Sequence, residues 1–252
     1  MSATPHPSGP AAQKLRLRYA KRGRLRFASH RDVARAFERA LRAAGVPMAY
    51  SQGFSPHPKV SWVGAAPTGT ASEAEYVEIQ LVRPLDPQLV RRELDSALPQ
   101  GLDVLDAVQA RGGSLAERID ASRWRIELPG VDRDALTAAV AALLASDQVL
   151  VERLGKDGRR TIDAPAALVG LRVEESGPSC GILTAVVRQV TPAVRPDDVL
   201  SALFVVAGLE PTAPGRANRV AQGRLDDEGE LVDPLSPDRA HDRPAVGRTG
   251  QA

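Results

Sequence analysis

The sequence predicts an α+β fold composed of two tandem ferredoxin-like units, each with the element order βαββαβ. Short stretches of alternating apolar residues, the period of half-buried strands, are separated by two stretches of helical periodicity in each half of the chain. The order of elements is the same in both halves, and a hydrophobic content of 43% is enough for two cores. We therefore predict a disordered segment over 1–12, a first unit over 13–108, a linker over 109–122, a second unit over 123–224 and a disordered acidic tail over 225–252.

The first unit is predicted to begin with strands whose outward face is basic. Residues 14–19 alternate basic and apolar side chains, which is the period of a strand with one buried face. A turn at 21–23 precedes a second alternating stretch, so we predict a hairpin or bent strand with Leu25 and Phe27 inward. Its exposed face would carry four arginines: Arg16, Arg18, Arg24 and Arg26.

A helix is predicted over 29–44. Ser29 and Asp32 have the spacing at which two side chains satisfy the free amides of a first helical turn. The buried face is predicted to hold Val33, Ala36, Phe37, Ala40, Leu41 and Ala44. The opposite face carries a stripe of arginines: Arg31, Arg35, Arg39 and Arg42. Gly45 would end the helix, and Pro47 would prevent it from resuming.

The loop that follows, residues 51–59, is stiff and polar. Gly53 permits a tight backbone turn, and two prolines restrict the chain around it. Its candidate binding residues are Ser51, Gly53, Phe54, Ser55, His57 and Lys59. A basic helix that leads into such a loop indicates a place where an anion is held.

The remaining elements follow from shorter patterns. In the first unit we predict strands over 60–66, 76–82 and 102–108, and a helix capped by Asp86 with Pro87 at its first position. In the second unit strands are predicted over 123–128, 149–154, 168–175, 182–188 and 216–222, with a turn at 156–158. One helix is predicted to begin at Asp132, with Leu144 on its buried side, and another to begin at Pro196 and run through Phe204.

Five short motifs carry a family resemblance. Between Leu25 and Gly69 the chain reads RFASHRD, RALRAAGVP, YSQGFSPHPK and PTG, and residues 72–76 read SEAEY. This run closely resembles a bacterial family, DUF2344, described as radical-SAM-linked, and the resemblance extends over residues 13 to 215. Its members look like either the C-terminal part of a radical-SAM protein with a B12-binding-type domain or a separate protein. The resemblance implies such a protein as a partner, with any iron–sulfur cluster, SAM or cobalamin held there, and it supplies no catalytic residues.

Composition excludes several functions. No stretch approaches eighteen apolar residues, so no membrane span is predicted, and the N-terminus lacks the apolar core of a signal peptide. A single cysteine, Cys180, permits no internal disulfide, as expected in a reducing cytoplasm. One cysteine also cannot provide the three thiolates of a radical-SAM iron–sulfur site, so this chain is not expected to be the radical-SAM catalyst.

Positive charge is concentrated near the beginning of the chain. Residues 14–42 contain eleven Lys or Arg against two acids, a net charge of about +9. Because the whole chain has a net charge of +2, the remainder carries about −7. Such an asymmetry predicts attraction of an anion to one side of the molecule. Arginine also suits forked contacts to phosphate, and the lack of sheet aromatics favours recognition of RNA through shape and phosphate.

Other candidate chemistries are weaker. His30 and His57 could act as general acid and base on RNA, but the preferred interpretation is that His30 hydrogen-bonds the neighbouring loop and His57 is a rigid loop donor. Glu73 and Glu75, with Asp32 and Glu78, could hold a metal ion, but pairing of Glu73 and Glu75 with the many arginines is the preferred interpretation, so no metal site is predicted. No base is recognisable for a reactive Cys180.

We expect a bacterial, cytoplasmic accessory protein without a cofactor of its own, which binds RNA or another anion and positions a substrate for a radical-SAM partner. The predicted anion-binding residues are Arg16, Arg18, Arg24, Arg26, Arg31, Arg35, Arg39 and Lys59. Two alternatives stay open. One is a metal-independent RNA-processing enzyme that uses His30 and His57. The other is a protein–protein adaptor whose arginines meet an acidic partner.

Overall fold

The computed structural model describes residues 10–155, 158–175, 177 and 179–239. These residues form a mixed α/β fold with mostly antiparallel strands and five helices. The strands are β1 (Gln13–Lys21), β2 (Val60–Val63), β3 (Ala71–Leu81), β4 (Val104–Gln109), β5 (Ala121–Pro129), β6 (Leu150–Gly155), β7 (Gly158–Asp163), β8 (Leu168–Val173), β9 (Cys180–Arg188), β10 (Arg216–Leu225) and β11 (Leu231–Val232). The helices are α1 (His30–Ala43), α2 (Pro87–Ala97), α3 (Arg133–Leu144), α4 (Pro196–Ala207) and α5 (Ser236–Arg239). Within the described ranges, every helix is too short or too polar to span a bilayer.

Two compact units are present. Unit 1 contains the described residues 10–65, 75–117 and 233–239, and its strands lie in the order β4–β1–β3–β2. The pairs β1–β4 and β2–β3 are antiparallel, and α1 and α2 pack on one face of the strands. That core contains large apolar side chains from both helices and three strands: Leu15, Leu17, Phe37, Leu41, Ile79, Leu94 and Val104. The predicted strand–helix–strand–strand–helix–strand order is therefore observed in this unit.

Unit 2 contains residues 66–74 and the described residues between 118 and 232. Its strands lie in the order β10–β5–β9–β8, and each of these neighbouring pairs is antiparallel. The hairpin β6–β7, which comes between α3 and β8 in the chain, forms a separate two-stranded sheet. The start of β3 pairs in parallel with β10, where Ala71 lies opposite Asn218. Helices α3 and α4 cover a core that includes Trp124, Ile126 and Leu183.

The prediction that residues 24–27 form the second strand of a hairpin is wrong. Gly23–Phe27 forms a 3₁₀ helix, in which the amide of Leu25 donates to the carbonyl of Arg22 at 3.0 Å. Phe27, predicted to point inward, is 61% exposed. A stretch of four residues is too short for its alternation to separate a strand from a tight helical turn, whose bonds join residues three apart.

One prediction in unit 2 is wrong and one strand was missed. Leu144, predicted to be buried, is 56% exposed. Strand β7 was not predicted, because its residues GRRTID are mostly polar and pair only with β6. The turn predicted at 156–158 falls largely outside the described residues, as does most of the predicted disordered segment 1–12.

The disordered tail predicted from 225 is wrong up to residue 239. Strand β10 continues to Leu225, β11 pairs with it, and α5 follows. Leu235 and Asp238 are fully buried. The acidic composition of this segment indicated disorder, but its aspartates are partners of buried and half-buried arginines in unit 1.

The segment 233–239 is fixed to unit 1 by Arg16. Leu15 and Leu17 face the helices, so Arg16 points from the opposite side of β1, where it is 1% exposed. Its Nε donates to Glu78 at 2.8 Å and its Nη1 donates to both oxygens of Asp238 at 3.1 and 3.0 Å. Its Nη2 donates to the carbonyls of Gly112 and Gly113 at 3.2 and 2.7 Å. Each guanidinium nitrogen therefore has an acceptor.

A second arginine strengthens this attachment. Arg239 donates to Asp106 on β4 at 2.8 Å and to Asp233 at 3.0 Å. Burial alone would lower the pKa of the Arg16 and Arg239 side chains, but their hydrogen bonds to carboxylates outweigh it and raise both pKa values. Both side chains therefore stay charged, and the prediction that Arg16 is exposed is wrong.

Removal of the Asp238 carboxylate should destabilise the fold. In Asp238→Ala, Arg16 would be left buried with one of its two carboxylate partners missing, which typically costs about 3–5 kcal/mol. The free energy of unfolding, measured by urea titration, should fall by that amount. Asp227→Ala removes an exposed aspartate and should change it by less than about 0.5 kcal/mol. An Asp238→Ala protein as stable as the Asp227→Ala control would show that the attachment of 233–239 is unimportant for folding.

Candidate functional site

Helix α1 is held at both ends by local hydrogen bonds. Ser29 Oγ accepts from the amide of Asp32, and Asp32 Oδ2 accepts from the amide of Ser29, each at 3.2 Å. At the other end Gly45 adopts φ +62°, and the amide of Val46 donates to the carbonyl of Leu41 at 3.0 Å. The predicted capping pair and stop residue are therefore confirmed, and they fix the position of everything that α1 displays.

The outward face of α1 carries four arginines, called here the α1 arginine stripe: Arg31, Arg35, Arg39 and Arg42. All four side chains are exposed, and the face opposite them is buried through Val33, Phe37 and Leu41. None of the four forms a salt bridge within the described part of the chain; Arg31 and Arg35 lie close enough to Asp32 to help lower its pKa. The stripe therefore presents charge that no carboxylate contact in that part neutralises.

The other predicted anion-binding residues differ in how far their side chains are exposed. Arg16 is buried, and Arg18 lies 3.8 Å from Asp233 and is half-buried, so neither belongs to the open basic face. Arg24 is exposed and forms no ion pair among the described residues, whereas Arg26 is half-buried with its guanidinium 4.7 Å from the ring of Phe27. Lys59 is half-buried at the base of loop 51–59.

Loop 51–59 is closed by its own side chains. The amide of Ser51 donates to the carbonyl of His57 at 2.9 Å, and Ser51 Oγ lies 3.0 Å from His57 Nδ1. The amide of Lys59 donates to Ala49 at 2.8 Å, which ties the base of the loop to the chain before it. Phe54 lies at the exposed tip with 110% of its reference surface accessible. The loop is thus a fixed support for one exposed ring.

The two candidate catalytic histidines contact different residues and do not contact each other in the described part of the chain. The ring of His30, at the first position of α1, meets Trp62 edge to face with 5.4 Å between centroids, and Trp62 also packs on Phe37. His57 bonds within its own loop. No hydrogen bond or ring contact joins His30 to His57 among the described residues. The structure therefore brings no acid–base pair together at these two positions.

The carboxylates considered as metal ligands are dispersed as well. Asp32 bonds to Ser29, Glu78 bonds to Arg16, and Glu75 is buried. In the described ranges no group of three or more His, Cys, Asp or Glu could hold a metal ion. Cys180 is partly exposed at the start of β9.

Sequence reasoning missed a second polar surface, on unit 2. A groove of about 520 Å³ is lined by three arginines, three glutamates and an apolar floor: Arg123, Arg125, Arg172, Glu174, Glu228, Glu230, Val169, Leu171, Val186 and Val220. Arg125 donates to Glu127 at 2.6 Å and to Glu174 at 3.3 Å. A hydrogen bond from Thr184, together with Arg125, lowers the pKa of Glu174. The alternation of Arg123 and Arg125 with buried Trp124 was the signal in the sequence for a basic strand face. In the structure Glu230 and Glu174 form ion pairs with these two arginines, so the charges of the groove are largely balanced.

The capping pair of α1 should make a pH-dependent contribution to stability. Hydrogen bonds from the hydroxyl and amide of Ser29, and the nearby charges of Arg35 and Arg31, lower the pKa of Asp32. Because the folded pKa lies below the unfolded one, this stabilisation is present above the unfolded value and is lost as pH falls through the folded value.

We therefore expect Ser29→Ala to lower the melting temperature at neutral pH, and this difference from the parent protein to narrow below about pH 4. The measurement is thermal unfolding by circular dichroism over a pH series. Ser96→Ala makes the same chemical change on the exposed face of α2 and should show no such narrowing. A constant difference across the pH range would rule out ionised Asp32 as the partner of Ser29.

Comparison with known proteins identifies a family to which the sequence is similar. The chain matches the model of DUF2344, described as an uncharacterized protein conserved in bacteria, over residues 14–196. No curated protein matches it. Among solved structures it is similar to a chain of a Cbf5–Nop10–Gar1 complex, with 7% identity and a TM-score of 0.49. That similarity covers 87% of this chain and 52% of the other, so the chain spans about half of that relative.

Two further similarities are weaker. An unknown protein from Galdieria sulphuraria is 18% identical with a TM-score of 0.24, and the first two RRM domains of the yeast poly(U)-binding protein Pub1 are 13% identical with a TM-score of 0.23. Each covers 82% of this chain and 98% of the other. All three TM-scores are below 0.5, so they carry no argument about fold or function. The family match extends over more than half of the 252 residues, and the chain therefore belongs to the DUF2344 family.

Proposed function

We propose that this protein is a non-catalytic RNA-binding accessory module of the bacterial cytoplasm, which positions a substrate for a partner radical-SAM enzyme. The observation that carries the proposal is the α1 arginine stripe. Four exposed guanidinium groups follow one helix face without a salt bridge in the described part of the chain. Like charges placed side by side repel one another, so a surface of this kind is most stable when an anion lies against it.

The length of the stripe favours an extended anion. Arg31 and Arg42 are eleven residues apart, which on a helix corresponds to about 17 Å. One phosphate or carboxylate could contact only one or two of these side chains, whereas a nucleic-acid backbone offers a row of phosphates. Arg24, which is exposed in the 3₁₀ helix before α1, is proposed as a further contact. Arginine also makes forked contacts to phosphate that lysine cannot make.

We further propose that both units are ferredoxin-like. The strand orders β4–β1–β3–β2 and β10–β5–β9–β8 support this assignment, because each places the first and third strands of a βαββαβ repeat at its centre. In unit 2 the hairpin β6–β7 would be an insertion after the first helix. Ferredoxin-like units serve many functions, so the fold itself does not favour RNA over another anion.

The role of the partner follows from what this chain lacks. One cysteine cannot provide the three thiolates of a radical-SAM cluster. The motifs between Leu25 and Gly69 resemble a radical-SAM-linked family, so the proposed division of labour is that this chain supplies charge and shape while its partner supplies the radical chemistry and its cofactors. A protein–protein adaptor remains the rival for the same face.

Salt dependence tests the proposal. Single-stranded RNA held by the five exposed arginines, Arg24 and the α1 arginine stripe, should bind with a log–log salt slope of about −3.5, from about −0.7 per phosphate contact. Replacement of Arg31, Arg35 and Arg39 by glutamine should remove three contacts and reduce the slope to about −1.4. Fluorescence anisotropy with a labelled RNA at several salt concentrations provides the measurement.

The matched control changes three exposed arginines elsewhere, Arg83, Arg92 and Arg133, to glutamine. This control carries the same change in net charge, and its slope should equal that of the parent. If the two triple variants bind alike, net charge and not the stripe is responsible. A parent slope near zero would favour an adaptor whose contacts are mainly apolar.

Replacement of both histidines distinguishes the proposed module from an RNA-processing enzyme. For the module, a double variant, His30→Ala with His57→Asn, should keep RNA affinity within about twofold, because neither side chain belongs to the α1 arginine stripe. Asparagine retains a hydrogen-bonding group for Ser51. The RNA is recovered after incubation and its length is compared by gel. Cleavage by the parent that disappears in the double variant would establish the nuclease and contradict the proposal of a non-catalytic module.

A further inference from the structure

Two phenylalanine rings of unit 1, one before α1 in the chain and one after it, are displayed to solvent. Phe54 is fully exposed at the tip of loop 51–59, and Phe27 is 61% exposed at the end of the 3₁₀ helix before α1. By contrast, Phe37 and Trp62 of the same unit pack against each other and against Tyr19. An exposed ring gives up the stabilisation that burial would provide, so two of them in the unit that carries the α1 arginine stripe are candidates for contact with a ligand.

Phe54 is held on a rigid base. The bonds between Ser51 and His57 close the loop beneath it, and Tyr50 pairs with Pro58 at the point where the loop leaves the sheet. Because the loop is already closed at its base, a flat ligand that stacks on the ring does not have to order the loop backbone first.

Phe27 has a cation beside its ring. The guanidinium of Arg26 lies 4.7 Å from the ring centroid, a distance typical of a cation–π contact. Phe27 is two residues before Ser29, so it lies at the start of α1. Arginine and aromatic planes are the surfaces on which proteins stack unpaired bases.

Phe27 and Phe54 lie before and after α1 in the chain. Phe27 precedes the first turn of the helix, loop 51–59 follows its end after residues 44–50, and the helix itself is about 21 Å long. Arg31, Arg35, Arg39 and Arg42 lie along this length. Phosphate contacts in the middle and stacking surfaces at both ends are the combination that proteins use for single strands.

We propose that the site binds single-stranded RNA, with unpaired bases stacked on Phe54 and Phe27 and the intervening phosphates on the α1 arginine stripe. This inference rests on the proposed RNA-binding function and names its substrate class. Duplex RNA is a poor ligand for such a site, because its bases are already stacked on one another and leave only phosphates and sugars to contact. Recognition is thus not limited to shape and phosphate.

The test compares three probes with three single variants. The probes are an oligoadenylate of about 12 nucleotides, an abasic strand of the same length and an RNA duplex of the same length. The variants Phe54→Leu and Phe27→Leu replace the ring with another apolar side chain, and Phe204→Leu does so at an exposed phenylalanine of α4. Anisotropy titrations at fixed salt give the affinities, and melting curves check that each protein is folded.

Phe54→Leu and Phe27→Leu should each weaken oligoadenylate binding by roughly 5- to 150-fold, the range of one lost stacking contact. Binding of the abasic strand should be unchanged in both variants, and Phe204→Leu should match the parent on every probe. The parent should prefer oligoadenylate to the abasic strand and to the duplex.

Failure of this inference is distinguishable from failure of the proposed function. If the parent binds all three probes equally with a salt slope near −3.5, and the phenylalanine variants do the same, RNA binding stands and stacking is overturned. If the parent binds none of the probes, both are overturned. If Phe54→Leu abolishes capture of a protein partner but leaves oligoadenylate affinity unchanged, the ring is a protein contact and the stacking assignment is wrong.

Discussion

The buried contact between Arg16 and Asp238 is the constraint on which the rest of unit 1 depends. Two charges removed from water are costly unless every donor and acceptor finds a partner. Here Arg16 reaches two carboxylates and two backbone carbonyls, and the amide of Arg111 also donates to Asp238 at 2.8 Å. Since Asp238 follows Arg16 by 222 positions, this contact joins the beginning of the described chain to its end. It also fills the face of β1 that the helices leave uncovered.

This contact separates arginines with different roles. Arg16 and Arg239 are engaged by carboxylates of the same unit, and Arg18 lies beside Asp233, so they contribute to folding. The arginines on the outer side of α1 have no such carboxylate within the described residues, so they are available to a ligand. A count of charges along the sequence cannot distinguish the two groups, because Arg16 and Arg18 belong to the same basic stretch, residues 14–42, as the α1 arginine stripe.

Local signals predicted local structure well. Helix α1, its capping pair Ser29 and Asp32 and its end at Gly45 could be predicted because each depends on residues within one turn of another. The errors occur where a distant partner decides the outcome. The segment 225–239 has the composition of a disordered tail, yet Arg16 orders it, and no nearby residue reveals that pairing. Phe27 was misplaced because four alternating residues fit both a strand and a 3₁₀ helix. Loop 51–59 was predicted to be a stiff polar loop, but the closure by Ser51 and His57 beneath the exposed Phe54 required coordinates.

Neither unit is a continuous piece of the chain. Residues 66–74 are counted with unit 2 although unit 1 surrounds them in sequence, and 233–239 return to unit 1 after the last strand of unit 2. Genetic recombination therefore cannot exchange one half of this protein without breaking the other. A fragment that stops after β10 would lack Asp238, so its hydrophobic core would be intact while the buried Arg16 kept Glu78 as its single carboxylate partner. The protein should consequently be inherited, expressed and degraded as one piece.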